Sequence, residues 1–184
     1  MKTLYQNITL PVCNKDTVAR ADDVFSYIDS DFTNWNLDVK SPKTESTEMA
    51  VLEMDKDGTF KDIFTSINPN LDSMCLTQAQ IIRFCEKNKD KLRTDGCGTF
   101  FLFKKDNEHF VAYVRVNSVG TLFVDVGRFS HDYVWRAGRR HRVVSPQVAL
   151  KLEPETLGNL DSLTLRVGEL ERKLAEIGKI ISNK

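Results

Sequence analysis

No apolar run in this 184-residue chain approaches the roughly 18 consecutive residues that a membrane-spanning helix needs. Its opening residues, MKTLYQNITLPV, hold one lysine but neither a sustained apolar core nor a small-residue cleavage site, so no secretory signal is expected. The expected setting is therefore cytoplasmic, with no membrane partner. Cysteine is scarce: Cys13, Cys75, Cys85 and Cys97 form no CxxC pair, and in a reducing compartment they are expected as free thiols. The three histidines, His109, His131 and His141, sit at no metal-ligand spacing beside them, so neither metal nor cofactor is expected. Net charge is absent too. Lysine plus arginine number 26 and aspartate plus glutamate 26, unlike the large basic excess of many nucleic-acid modules.

What is present is clearest at the C-terminal end. Leu160, Val167, Leu174 and Ile181 recur at one heptad position, and Leu163, Leu170 and Ile177 fall at the other. Alternating spacings of three and four put all seven on one stripe of a helix, the seam along which helices supercoil. The pattern predicts a C-terminal coiled-coil helix within residues 151–184 that joins copies of the chain into a homo-oligomer. Gly168 and Gly178 lie off the seam, each weakening the helix by about 1 kcal/mol relative to alanine. An amphipathic helix packed on its own domain is the competing expectation.

Ahead of the tail, residues 1–47 read as an N-terminal α/β extension and residues 48–150 as an α+β module. A strand is expected within 3–12. Asp16 is placed to cap a helix carrying Val18, Ala21, Val24, Phe25 and Ile28, and Trp35, Leu37 and Val39 alternate as in a short strand. Ser41–Thr47 reads as a linker, and residues 49–54 as a strand closed by the turn Asp55-Lys56-Asp57-Gly58. Phe60, Ile63, Phe64 and Ile67 fit a short helix, and Thr77 caps another containing Ile81, Ile82, Phe84 and Cys85. Thr99–Phe103 is apolar on both faces and should be a central strand. Hairpin connections at 105–108 and 118–120 make a meander with 109–116 and 122–126, and 142–144 adds a further strand. The expected fold is α+β: a helix packed on an antiparallel β-meander, followed by the coiled-coil helix.

The stretch from Leu71 to Val116, with GTFFLF at 98–103, followed by WRAGRRHRVVSPQ at 135–147, resembles a family of uncharacterised bacterial proteins of Patescibacteria type. The likeness covers roughly residues 58–147. It implies a self-contained module in a bacterial cytoplasmic protein, and it carries over no functional residues.

Charge is divided along the chain. Six basic against eleven acidic side chains give residues 1–58 a net −5, and eight against four give residues 101–146 a net +4. Arg128, Arg136, Arg139, Arg140 and Arg142, interleaved with Phe129, Tyr133 and Trp135, form a basic-aromatic segment. Guanidinium groups neutralise phosphates and aromatic rings offer flat faces to bases, so this segment is the candidate anion or nucleic-acid site. The bland alternative is that these arginines pair with the acidic front of the chain. Asp55–Gly58 fails the register of a calcium loop, because Phe64 stands where a bidentate carboxylate is needed. Asp95-Gly96-Cys97-Gly98 lacks the lysine and hydroxyl of a phosphate-cradling loop. Cys97 is a nucleophile only beside an imidazole such as His109 or His131, and Asp125 with His131-Asp132 makes an acid–base pair only if the fold joins them. No catalytic residue is assigned. The leading expectation is a self-associating interaction module that binds another protein, and the alternative is nucleic-acid or anionic-ligand binding through 128–142.

Overall fold

The apolar run GTFFLF lies in the middle strand of a sheet, and both faces of that strand are buried. The structure is a computed structural model that describes residues 1–14 and 16–147, within a compact unit spanning Met1–Leu150. In chain order the elements are β1 (Lys2–Leu10), β2 (Tyr27–Ile28), α1 (Asp31–Asn34), β3 (Thr47–Glu53), α2 (Phe60–Ile67) and α3 (Gln78–Lys87). They continue with β4 (Gly98–Lys105), β5 (Glu108–Val116), β6 (Leu122–Arg128) and β7 (Arg142–Pro146). The described strands form one seven-stranded sheet in the order β1-β3-β7-β4-β5-β6-β2.

Strand β4 is flanked by β5, antiparallel with Phe101 opposite Ala112, and by β7, parallel with Phe100 opposite Val143. Side chains alternate between faces along a strand. Phe101 and Phe103 therefore enter one core with Ile81, Phe84 and Phe32 of α3 and α1. Phe100 and Leu102 enter the other, with Phe60, Ile63, Phe64 and Ile67 of α2. Each fully buried phenylalanine contributes about 1.5–3 kcal/mol of transfer free energy, so a double-sided strand anchors both layers at once.

Both longer helices start on reciprocal caps. The Thr59 hydroxyl accepts from the Asp62 amide while the Asp62 carboxylate accepts from the Thr59 amide, and Thr77 and Gln80 repeat the arrangement on α3. Each box satisfies two amide donors that a helix start otherwise leaves free.

The expected helix on an antiparallel meander is corrected. The meander β4–β5–β6 is three strands of a larger, mixed sheet with two parallel contacts, β4–β7 and β2–β6, and helices on both faces. No coiled-coil helix occurs among the described residues. The seam residues Leu160, Leu163, Val167, Leu170, Leu174, Ile177 and Ile181 lie outside them.

The N-terminal segment also departs from expectation. Val18–Arg20 is a single 3₁₀ turn, Tyr27–Ile28 is the edge strand β2, and the chain around Trp35 closes α1 instead of forming a strand. Its backbone is tied to α3 by one buried glutamine. Gln78 accepts the Val18 amide at 2.8 Å and donates to the Leu37 carbonyl at 2.6 Å, so two irregular segments dock on α3 without a helix of their own. Residues 1–47 contribute β1 and β2 to opposite edges of the sheet. Among the described residues no helix is long and apolar enough to cross a membrane.

Candidate functional site

The predicted basic segment is the connection between β6 and β7. These strands run parallel with β5 and β4 between them, so residues 129–141 must travel back along the sheet before β7 can start. Arg128 ends up level with Phe110 and Phe103, whereas Arg142 pairs with Thr99. At about 3.3 Å per residue and 4.8 Å per strand, their backbones are roughly 20 Å apart. Neighbours in sequence are thus dispersed over the surface.

Three of the five arginines are engaged by the protein itself. Arg128 pairs with Glu108 at 3.2 Å and lies 4.8 Å from the Trp35 ring centroid. Arg136 meets Asp57 at 2.9 Å, and the same carboxylate accepts the Ala137 amide at 2.8 Å. These bonds hold the Asp57 carboxyl below its ordinary pKa and pin the crossover to the acidic turn. Arg142 donates to the Lys91 and Leu92 carbonyls at 2.6 and 3.0 Å. Arg139 and Arg140 are exposed, with no ion pair among the described residues.

The crossover brings aromatic rings together instead. Trp135 exchanges backbone hydrogen bonds with Gly58, at 2.9 and 3.1 Å, which seats its indole over the core. Its ring centroid lies 4.8 Å from Phe100, 5.1 Å from His141, 5.5 Å from Tyr113 and 4.9 Å from Tyr133. Beyond Tyr113 the row continues across the sheet. The Arg115 guanidinium sits 5.7 Å from the Tyr113 centroid and 6.0 Å from Phe123, and Phe123 is 6.4 Å from Tyr27.

This row is half-open because α2 covers only part of its face. On β5 and β6 the alternate residues Val114, Val116, Val124 and Val126 are buried, while Tyr113, Arg115, Phe123 and Asp125 are partly exposed. The row's two ends are more open still, Tyr27 at 47% and Tyr133 at 56% exposed. One Asp125 carboxylate oxygen accepts from Arg115 Nη2 at 2.7 Å and Nε at 3.0 Å, which keeps the guanidinium between the rings. Burial, with the Asp125 charge second, raises the Tyr113 pKa, so its phenol is neutral at physiological pH.

The catalytic constellations weighed from sequence are not assembled. Cys97 precedes the start of β4, whereas His109 pairs with Lys104 near its end, a strand length of about 20 Å away. His131 lies beyond Arg128 at that same far end; its Nδ1 accepts the Tyr133 amide at 3.0 Å, and Asp125 is committed to Arg115. His141, next to the Cys97 turn, directs Nδ1 to the Gly98 amide at 3.1 Å.

One cluster went unseen in the sequence. The 3₁₀ turn Leu71–Met74 presents Asp72 and Cys75 three residues apart, and the start of β5 brings His109 to them. His109 Nε2 is 2.9 Å from Asp72 Oδ1, and Lys104 Nζ is 2.7 Å from Asp72 Oδ2. Burial pushes the Cys75 thiol up to about 12, so it is no free thiolate nucleophile. Elsewhere, a cavity of about 400 Å³ opens between the 13–24 segment and α3, but Arg20 and Arg83 on its wall are already paired with Asp38 and Glu86.

No family model, curated protein or solved structure matches this chain.

Proposed function

We propose that this protein is a binding module for single-stranded nucleic acid, and that the half-open aromatic row on the β2-β6-β5 face is its contact surface. The supporting observation is the row itself: Tyr27, Phe123, Tyr113, Trp135 and Tyr133 in sequence across the sheet, with the Arg115 guanidinium between two of the rings. Every base has a flat π face, so stacking on such a platform tolerates any sequence. A guanidinium plane among the rings adds cation–π attraction and a hydrogen-bonding edge. Single strands suit the surface because only unpaired bases can splay onto side chains. Arg139 and Arg140, exposed beyond Trp135, supply charge for the backbone at one end of the row.

The balanced overall charge fits this division of labour, in which stacking carries most of the affinity and few phosphates are neutralised. The salt dependence should accordingly be shallow, with a slope set by one or two contacts. The test is fluorescence anisotropy on a labelled single-stranded oligonucleotide of about a dozen nucleotides. Tyr27→Ala and Tyr133→Ala, each at an exposed end, should weaken binding by about 1–3 kcal/mol apiece, roughly 5- to 150-fold in Kd. Absence of binding at low salt, or an unchanged Kd in the double variant, rejects the reading.

A further inference from the structure

We propose that Asp72, Cys75 and His109 form a binding site for a divalent transition-metal ion of the zinc class. The donors come from two separate parts of the chain, one turn and the start of β5, yet one ligand atom from each lies within 4.8 Å of the other two. Metal–ligand distances of about 2.0–2.3 Å in a tetrahedral site separate the donors by roughly 3.3–3.7 Å. The His109–Asp72 contact of 2.9 Å therefore needs to open by under an ångström for an ion to sit between them.

Local structure explains the convergence. In a 3₁₀ turn side chains three residues apart lie one above the other, which stacks the Asp72 carboxylate and the Cys75 sulfur on one side. The turn packs against β4, and the hairpin from β4 to β5 returns His109 opposite Lys104, level with that side. Lys104 occupies only Oδ2 of Asp72, so Oδ1 is left for a monodentate metal bond while the ammonium fixes the carboxylate's orientation. Outer partners of this kind are a regular part of metal sites.

The donor set selects the metal. Sulfur and imidazole disfavour magnesium and calcium, which take oxygen ligands, and favour borderline and softer ions. Thiolate and carboxylate together balance a dipositive ion. Three protein ligands leave a fourth position for water or a ligand atom. Of the three donors His109 also lines a cavity of about 260 Å³, with Glu108, Arg128, Phe129 and Ser130. The bound ion would also tie the segment between α2 and α3 to the β4–β5 hairpin.

The experiment uses the full chain, stripped with chelator and titrated with cobalt(II) alone. Thiolate-to-cobalt charge transfer in the near ultraviolet and tetrahedral visible bands should appear and vanish on adding zinc. Cys75→Ser should abolish the charge-transfer band, and Cys97→Ser should leave it intact. Asp72 is exposed, so Asp72→Asn keeps the fold and should weaken cobalt affinity by at least about tenfold. No band in the unaltered chain, a band that persists in Cys75→Ser, or unchanged affinity in Asp72→Asn overturns the proposal. Oligonucleotide binding is measured separately, so failure here leaves the aromatic face unaffected.

Discussion

The Gly98 amide donates to Nδ1 of His141 across 3.1 Å, with the imidazole stacked on Phe100 at 5.0 Å and 21°. The same Nδ1 lies 3.3 Å from the Gly98 carbonyl oxygen, so the imidazole faces both backbone polar groups of one residue. Burial lowers the His141 pKa below the ordinary 6.5 against the opposing hydrogen bond to the Gly98 backbone, and the positive charges of Arg93 and Arg139 push the same way as burial.

Stability should therefore fall on mild acidification. With its folded pKa depressed, the unfolded chain takes up the proton first as the pH drops. The full contribution is present above about pH 6.5 and is lost progressively below it, at no more than about 1.4 kcal/mol per pH unit. Urea unfolding at steps between about pH 8 and pH 5.5 measures the slope, and His141→Gln should flatten it. The depressed carboxyls of Asp38, Asp55, Asp62 and Asp90 act in a lower window, where stability is lost as the pH falls through and below the ordinary aspartate value of 3.8. A slope unchanged in His141→Gln would assign the effect elsewhere.

Gly98→Ala should destabilise by about 1–3 kcal/mol. A Cβ there would stand 3.0 Å from Tyr113 Cδ2 and 3.1 Å from Phe100 Cε1, both ring atoms held in packed positions. Because Tyr113 belongs to the aromatic row, the variant should also weaken oligonucleotide binding. Thermal unfolding and anisotropy on the same preparation test both halves.

Trp135→Ala and Trp135→Phe should differ sharply. The indole touches Phe60, Phe100, Tyr113, Tyr133 and His141, so truncation should cost about 3 kcal/mol or more. Its buried Nε1–H has no hydrogen-bond partner among the described residues, so phenylalanine forfeits no bond and should cost under about 1.5 kcal/mol. Equal losses in the two variants would contradict this.

The arginines of the crossover should separate by role. Arg142→Ala leaves the Lys91 and Leu92 carbonyls without their guanidinium donor and should lower stability by about 1.5–3 kcal/mol. Arg139→Ala with Arg140→Ala should leave stability within about 0.5 kcal/mol, since both are exposed. It should instead reduce the salt slope of oligonucleotide binding by about one per lost phosphate contact. Denaturant titrations and binding at several salt concentrations distinguish the two sets.

Much of the core was readable from local pattern. Thr99–Phe103, apolar on both faces, could only be a covered strand, and it is the middle one. The Thr77 cap and the spacing of Ile81, Ile82, Phe84 and Cys85 placed α3 because a helix start is written in adjacent residues. The segment 18–28 misled because its apolar spacing is helical while only short turns close locally and both of its ends bond to distant partners. The Ser26 amide donates to the Leu122 carbonyl at 2.9 Å, Gln78 accepts the Val18 amide, and Tyr27 pairs in parallel with Phe123. Those partners lie far along the chain, where no periodicity points. The site was hidden for the same reason. Tyr133 and Trp135 stood out inside the arginine-rich run, but their companions Tyr113, Phe123 and Tyr27 join them only through strand register. His109 likewise reaches Asp72 and Cys75 only because a hairpin folds it back.

The rims of the sheet carry a last consequence. On one side β1 pairs with β3 through two register shifts, and Asn7 there adopts a left-handed φ of 56°. On the other, β2 offers two residues, after which the Asp29 carboxylate caps the next amide of β6. Neither border gives a straight rail of free amides to a stray extended peptide. The sheet thus exposes a row of rings on one face while its two borders are poor templates for adding a strand.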